Sequence, residues 1–169
     1  MGTLAALALA LSVYAVAAML AQLDAVSARI ALGRWEDERR LPGDAPVEAW
    51  IARLARGARV LPLDVTLALD RARLLEWRAW QGFATEGPTS ASAATALGAA
   101  REGYRRALAL APTSGLVWSH RASVEARVAG GGAAARRALE QARRLAPHEP
   151  GVVARVAWVS AALDRRSSR

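Results

Sequence analysis

The sequence predicts an all-α protein, in which one N-terminal transmembrane helix precedes an array of stacked helical hairpins. Three observations support this fold class. The composition is 53% hydrophobic but only 5% aromatic, and much of the apolar fraction is alanine, a strong helix former. An uncharged stretch, Thr3–Leu23, opens the chain. Beyond it, a spacing of small, large and proline residues occurs three times.

The recurring pattern has members at relative positions 0, 4, 7 and 12. Its three copies are Ala100, Tyr104, Ala107 and Pro112; Ala135, Leu139, Ala142 and Pro147, which lie 35 residues later; and Trp50, Leu54, Gly57 and Pro62, which lie 50 residues earlier. The first three positions share one helix face, and the proline cannot continue that helix. A period near 34 residues with this pattern is typical of tetratricopeptide (TPR) repeats, and it predicts a TPR-like α-solenoid.

The uncharged stretch is long enough to cross a bilayer. As a helix, its 21 residues span about 31 Å, against about 30 Å for the hydrocarbon core. Two alternatives are a signal peptide cleaved near Val26-Ser27-Ala28 and a buried core helix. We predict an uncleaved anchor over 1–23, whose helix continues to about Arg34, then a TPR-like domain over 24–163 and a polar tail over 164–169.

Turn residues divide the remaining chain into helices. The polar segment Gly33–Pro46 is predicted to be a hairpin loop with Asp44 as the cap of the next helix, and the small, polar segment 82–94 is predicted to be an inserted loop. Gly130-Gly131-Gly132 predicts a turn, because glycine opposes helix propagation. The predicted helices are Val47–Val60, Leu63–Gln81, Thr95–Ala111, Gly115–Ala129, Ala133–Ala146 and Gly151–Leu163.

No residue pattern in the chain indicates catalysis. The nucleophile, nucleotide-binding and zinc-hydrolase motifs are absent from the sequence, and so is cysteine. His120 and His148 lack carboxylates at ligand spacing, and Glu102 with Glu125 is a weak candidate for an acid–base pair. The formal charge of +8 comes from arginines dispersed along helices, many beside acids. We therefore expect no enzyme activity, metal, cofactor, small-molecule substrate or nucleic-acid partner.

Binding is the function that remains, and the first helices of the hairpins are its predicted location. In TPR-like hairpins these helices line the concave face. The register set by the prolines places Arg73, Trp77, Ser123, Arg127 and Trp158 toward that groove. Arginine and tryptophan are enriched at binding hot spots, which indicates a partner-binding groove. The alternative is that Trp77 and Trp158 simply pack between hairpins.

Several segments resemble the VpsP family of bacterial proteins. They are GRWEDERRLP, Glu76-Trp77-Arg78-Ala79, the PTSxxxW segment Pro112–Trp118 and the PHEPGV segment Pro147–Val152. The resemblance implies a single-pass inner-membrane protein with a TPR-like domain, encoded with exopolysaccharide genes. We therefore expect an accessory or scaffold protein that binds protein partners in polysaccharide biosynthesis or export. The alternatives are an assembly factor, or a small structural subunit, of another envelope complex.

The orientation in the membrane depends on two opposing arguments. Arg29, Arg34, Arg39 and Arg40 follow the apolar stretch, and the positive-inside rule would keep them cytoplasmic. Long domains translocate regardless of such charges, and the resemblance implies a domain that faces the envelope. We expect a periplasmic domain.

Overall fold

The computed structural model describes residues 2–38, 43–128 and 130–167, and these ranges form seven α-helices without a β-strand. The all-α prediction is therefore confirmed for the described part of the chain. The helices are α1 (Gly2–Glu38), α2 (Asp44–Val60), α3 (Val65–Thr85), α4 (Ala91–Leu110), α5 (Gly115–Glu125), α6 (Gly132–Leu145) and α7 (Pro150–Ser167).

The seven helices pack as successive hairpins. Each helix contacts the next one along the chain, and the odd-numbered helices also contact one another in the order α1, α3, α5, α7. The even-numbered helices therefore lie on one side of the stack and the odd-numbered helices on the other. This arrangement confirms the predicted packed hairpins and brings side chains from α1, α3, α5 and α7 onto a common face.

The repeated pattern supplies the residues between the helices of each hairpin. Leu54 and Tyr104 are fully buried, and Leu139 is nearly so. The helices end just before the predicted prolines, since α2, α4 and α6 stop at Val60, Leu110 and Leu145. Side chains at the next helix starts then satisfy free backbone N–H groups: Asp64 accepts from Leu67 and Ser114 accepts from Val117.

The predicted inserted loop over 82–94 is wrong in its extent. Helix α3 continues to Thr85 and α4 begins at Ala91, so only residues 86–90 connect them. Ser90 caps α4 by accepting from the backbone N–H of Ala93, and its hydroxyl donates to Glu86. Gly82 lets the two helices approach closely, because a Cβ there would lie 2.8 Å from the Cβ of Ala93. The extra residues of this repeat therefore lengthen two helices.

Other predicted boundaries shift at the ends of α1, α2 and α7. Helix α1 continues to Glu38, so most of the predicted loop Gly33–Pro46 is helical, and residues 39–42 lie outside the described part. Helix α2 begins at Asp44 itself with Gly43 as its N-cap, so the predicted cap residue was wrong by one position. Helix α7 continues through Ser167 into the predicted tail.

The glycine run forms the predicted turn between α5 and α6. Gly130 has a φ of 71°, which an L side chain rarely adopts. A Cβ at Gly131 would clash with the carbonyl oxygen of Glu125. Helix α5 ends at Glu125, earlier than the predicted Ala129, which is outside the described residues. Backbone conformation and close packing together therefore require glycine in this turn.

Helix α1 has an unpacked half and a packed half. From Thr3 to Val16 the side chains are exposed, including Leu4 and Leu11, whereas Ala21, Ala25, Ala28 and Leu32 are buried against the hairpins. Among the described helices, α1 is long and apolar enough to cross a membrane, and its position near the N-terminus also suits a signal sequence. Packing begins at Ala21, three residues before the predicted domain boundary.

Candidate functional site: a tryptophan and arginine groove

A cavity of about 720 Å³ lies on the face shared by the odd-numbered helices. We call it the Trp–Arg groove. Its lining comes from α1, α3, α5 and α7 and consists of Glu36, Arg73, Glu76, Trp77, Trp80, His120, Ser123, Arg155 and Trp158. Four helices that are distant in sequence therefore build one concave surface.

The structure brings the five predicted groove residues together. Arg73, Trp77, Ser123 and Trp158 line the groove. Arg127 lies beside them, with its guanidinium 3.8 Å from the ring centroid of Trp80 and 4.8 Å from that of Trp158. Their shared location follows from the helix register, whereas binding of a partner there stays a prediction.

The tryptophans of the groove are partly packed and partly available. Trp80 and Trp158 have ring centroids 5.9 Å apart with an interplanar angle of 34°, and Trp35 meets Trp77 edge-on at 6.3 Å. The side chain of Trp158 is nevertheless 44% exposed. Part of each tryptophan ring therefore packs between hairpins, as the alternative predicts, and the outer part of Trp158 is open to solvent.

A buried carboxylate lies at the base of the groove. Glu76 accepts hydrogen bonds from the Tyr104 hydroxyl and the Ser123 hydroxyl, each at 2.7 Å. The Nδ1 atom of His120 is 3.6 Å from Glu76 Oε2, and the His120 ring stacks on Tyr104 with centroids 5.6 Å apart. This cluster joins α3, α4 and α5, so it fixes the relative positions of the helices that carry the groove.

The electrostatics of this cluster favour an anionic Glu76 and a neutral His120. Burial acts to raise the pKa of Glu76, but His120, Arg155 and the Tyr104 hydrogen bond outweigh it and lower that pKa to about 2. Burial, aided by the positive charge of Arg155 and opposed by Glu76, lowers the pKa of His120 to about 4. The two groups therefore carry one negative charge between them at neutral pH.

Arginines bind the other carboxylates near this charge. Arg73 binds Glu36 at 2.8 Å and lies 3.6 Å from Asp70, which Arg29 also binds at 3.0 Å. Burial lowers the pKa of Arg127 to about 10, so its guanidinium remains charged at neutral pH.

The groove carries a cationic excess. The Nε atoms of Arg73 and Arg155 are buried and make no hydrogen bond within the described part of the chain. In the lining, Arg73 and Arg155 balance the carboxylates Glu36 and Glu76, and Arg127 beside the lining adds a positive charge. The groove thus has one positive charge in excess, which Arg127 supplies, and the two unpaired Nε donors are not accessible to solvent.

The weak acid–base candidates have separate structural partners. Glu102 is exposed and binds Arg105 in the same helix. Glu125 is fully buried, with Arg101 at 2.9 Å and Arg121 at 3.5 Å. Within the described residues, no group of three or more His, Asp or Glu side chains could hold a metal ion.

Sequence reasoning missed four members of the groove, namely Glu36, Glu76, Trp80 and Arg155, and it gave His120 only as a groove or surface residue of its helix. Helical spacing could have found most of them. Trp80 lies three residues after Trp77, and Arg155 lies three residues before Trp158, so each pair shares a helix face. His120 is likewise three residues before Ser123.

Fold and groove together define an all-helical hairpin protein with an apolar N-terminal helix and a concave Trp–Arg surface. No protein-family model, curated protein or solved structure matches the chain. The functional argument therefore rests on the residues and their geometry.

Proposed function

We propose that this chain is a single-pass membrane protein with a TPR-like α-solenoid that binds a protein partner in the Trp–Arg groove. It would serve as an accessory or scaffold in exopolysaccharide biosynthesis or export at the bacterial inner membrane, with its domain in the periplasm. The observation that carries the proposal is the groove itself, which four helices build and which leaves Trp158 partly exposed.

The packing of the helices supports the TPR-like assignment. First helices contact first helices of the next hairpin, and the small and large pattern positions are buried inside each hairpin, except Trp50, which is partly buried. Helix α7 covers the last hairpin by packing on both α5 and α6. A helix in this position covers the apolar seam of the hairpin before it.

The two halves of α1 support retention as an anchor. Cleavage near Val26-Ser27-Ala28 would remove Ala21 and Ala25, which are buried in the first hairpin. We expect the full chain to remain in the membrane pellet after alkaline carbonate washing. Release of a shortened chain that begins near Arg29 would show signal cleavage instead.

Alkaline phosphatase fused after Arg169 should be active if the domain is periplasmic, and a stable but inactive fusion would reverse the orientation.

The chemistry of the groove describes the partner. The exposed part of Trp158 offers an apolar contact, and the excess of arginine favours an acidic neighbour. A partner segment with an apolar anchor and an acidic side chain fits both features.

The variant Trp158→Ala tests partner binding. If Trp158 anchors the partner, affinity should fall about thirtyfold, which is about 2 kcal/mol. Because the side chain is 44% exposed, the fold should lose less than the roughly 3–5 kcal/mol typical of a fully buried tryptophan. The measurement is recovery of the partner from membranes, beside the melting temperature of the variant.

Val153→Ala is the matched control, because Val153 is exposed on α7 and lies outside the groove. It should leave both partner recovery and melting unchanged. Normal recovery with Trp158→Ala would remove the groove from the mechanism, and a melting loss as large as that of a core tryptophan would make Trp158 structural.

The identity of the recovered proteins tests the polysaccharide role. Glycosyltransferases or chain-length regulators would support it, and their genes should lie beside the gene for this chain. Components of a cytochrome-maturation or secretion apparatus would instead favour the assembly-factor alternative. This identification is independent of the groove, because it can succeed whichever surface binds.

A further inference from the structure

The direction of each helix places one end of the stack beside the apolar half of α1. A Cβ at Gly57, near the end of α2, would lie 3.2 Å from the Cβ of Ala21. At the start of α3, Asp64 accepts a hydrogen bond from Gln22. The turn between α2 and α3 is therefore level with the residues at which α1 changes from unpacked to packed.

The same end of the stack includes part of α4. Arg106 donates to the carbonyl oxygen of Pro62 at 3.0 Å, so the C-terminal part of α4 lies against this turn. The turn between α3 and α4 lies at the opposite end, because α3 runs in the same direction as α1, with Arg29 bound to Asp70 and Glu36 bound to Arg73. The 21 residues of α3 separate the two ends of the stack by about 30 Å.

An exposed leucine and three arginines mark the end near α1. Leu63 is 78% exposed, more than Leu4 of the apolar helix at 73%. Arg56, Arg59 and Arg106 are also exposed around the turn. Asp64 and Asp24 lie at the same level, where they bind Gln22 and Arg53, so the exposed residues around the turn include one leucine and three arginines. An exposed apolar tip with nearby cations is typical of a surface that contacts a membrane interface.

We propose that Arg56, Arg59, Leu63 and Arg106, which we call the membrane-proximal rim, lie on the bilayer that holds α1. This inference rests on the proposed anchor. The apolar stretch ends at Leu23, so the level of Gln22 and Asp64 coincides with the boundary of the hydrocarbon core. Leu63 inserts at this boundary, and the arginines bind the phosphates of anionic lipids.

The rim would hold the domain upright on its anchor. Contact at a second point, away from α1, limits the tilt of the hairpin stack relative to the membrane. The electrostatic part acts only at short range, because the attraction of arginines to anionic lipid decays within about 8–10 Å at physiological salt. The rim therefore needs α1 to bring it to the surface, and it then fixes the direction in which the Trp–Arg groove faces.

Site-specific labels on the full chain test this contact, because the sequence contains no cysteine. The variants Leu63→Cys, Thr89→Cys and Leu11→Cys carry a fluorophore on the rim, on the distal turn and on the anchor. Each protein is reconstituted in vesicles of phosphatidylcholine with about 30% phosphatidylglycerol and nitroxide-labelled lipid, a content chosen to reach a membrane-like surface charge. We expect lipid quenching at Leu11 and Leu63 and none at Thr89.

Charge reversal tests the role of the arginines. Arg56→Glu with Arg59→Glu, in the Leu63→Cys chain, should reduce quenching at Leu63 several-fold, and so should vesicles without phosphatidylglycerol. The matched control is Arg136→Glu with Arg137→Glu, which makes the same charge change at exposed positions near the start of α6. The control should leave quenching at Leu63 unchanged.

The outcomes separate this inference from the proposed anchor. Quenching at Leu11 without quenching at Leu63 would overturn the rim and leave the anchor in place. An unquenched label at Leu11 would overturn the anchor and the rim with it. Quenching at Leu63 that ignores both charge reversal and lipid charge would overturn the assignment of the arginines to lipid phosphates.

Discussion

The variant Tyr104→Phe removes one hydroxyl from the base of the Trp–Arg groove and little else. That hydroxyl donates to Glu76 Oε2 at 2.7 Å. The phenylalanine ring can keep the position of the tyrosine ring, which stacks on His120 with an interplanar angle of 20°. The substitution therefore tests the buried carboxylate without creating a large cavity.

The expected loss follows from the charge on Glu76. A hydrogen bond to an ionised group contributes about 1.5–3 kcal/mol to stability. Glu76 would keep the hydrogen bond from Ser123. Because Glu76 is only 5% exposed, water replaces the lost tyrosine hydroxyl poorly. We expect the free energy of unfolding to fall by about 1.5–3 kcal/mol, which lowers the melting temperature by about 3–12 °C for a chain of this size.

The difference between the two proteins should depend on pH in a defined direction. The pKa of Glu76 is lowered from 4.5 to about 2 in the folded protein. A lowered carboxyl pKa contributes stability that is fully present above pH 4.5 and is lost as the pH falls toward 2. The melting temperatures of wild type and Tyr104→Phe should therefore differ most at pH 7 and converge below pH 4.5.

Thermal unfolding of the full chain in detergent, followed by circular dichroism at several pH values, measures this difference. Tyr14→Phe is the control, because it removes the hydroxyl of an exposed tyrosine on α1 and should leave the melting temperature unchanged. Equal stability of wild type and Tyr104→Phe at pH 7 would refute the charged network. A difference that grows in acid would refute the assignment of the negative charge to Glu76.

Two further predictions concern packing and protonation. Gly103→Ala should destabilise the protein by about 1–3 kcal/mol, because the new Cβ would lie 2.8 Å from the Cβ of Ala72. Gly98→Ala on the same helix meets nothing within 4 Å and should stabilise the protein by about 0.4–1 kcal/mol. Thermal melting of the two variants distinguishes these outcomes. The pKa of His120 is about 4 in the folded protein and 6.5 in the unfolded chain, so the unfolded chain binds the proton first as the pH falls. About 3 kcal/mol of stability that is present above pH 6.5 should therefore be lost as the pH falls to 4. His120→Gln should flatten the melting profile over that pH range, and an unchanged slope would contradict the buried, neutral imidazole.

The sequence by itself determined the order of the hairpins and the main face of the groove. Both depend on local rules, since a proline ends a helix and residues three, four or seven apart share a helix face. Pro62, Pro112 and Pro147 set the register that located Trp77 and Trp158 correctly on the groove. These features needed no knowledge of which helices meet.

Helix ends without a proline were predicted less well. The segment 82–94 has the composition of a loop, but the packing of Gly82 on Ala93 extends both helices into it. The polar segment after Gly33 similarly continues α1, where Trp35 packs on Trp77 and Glu36 binds Arg73. In both places tertiary contacts override the weak local preference for a turn.

Only the tertiary structure decided that Glu76 is the charged centre of the groove. In the sequence it is one acid near several arginines, with the pattern of a solvated helix face. Its partners Tyr104 and Ser123 lie 28 and 47 residues away along the chain. A carboxylate can be buried only where distant hydrogen-bond donors and a positive charge converge on it, and that convergence exists only once α3, α4, α5 and α7 have packed.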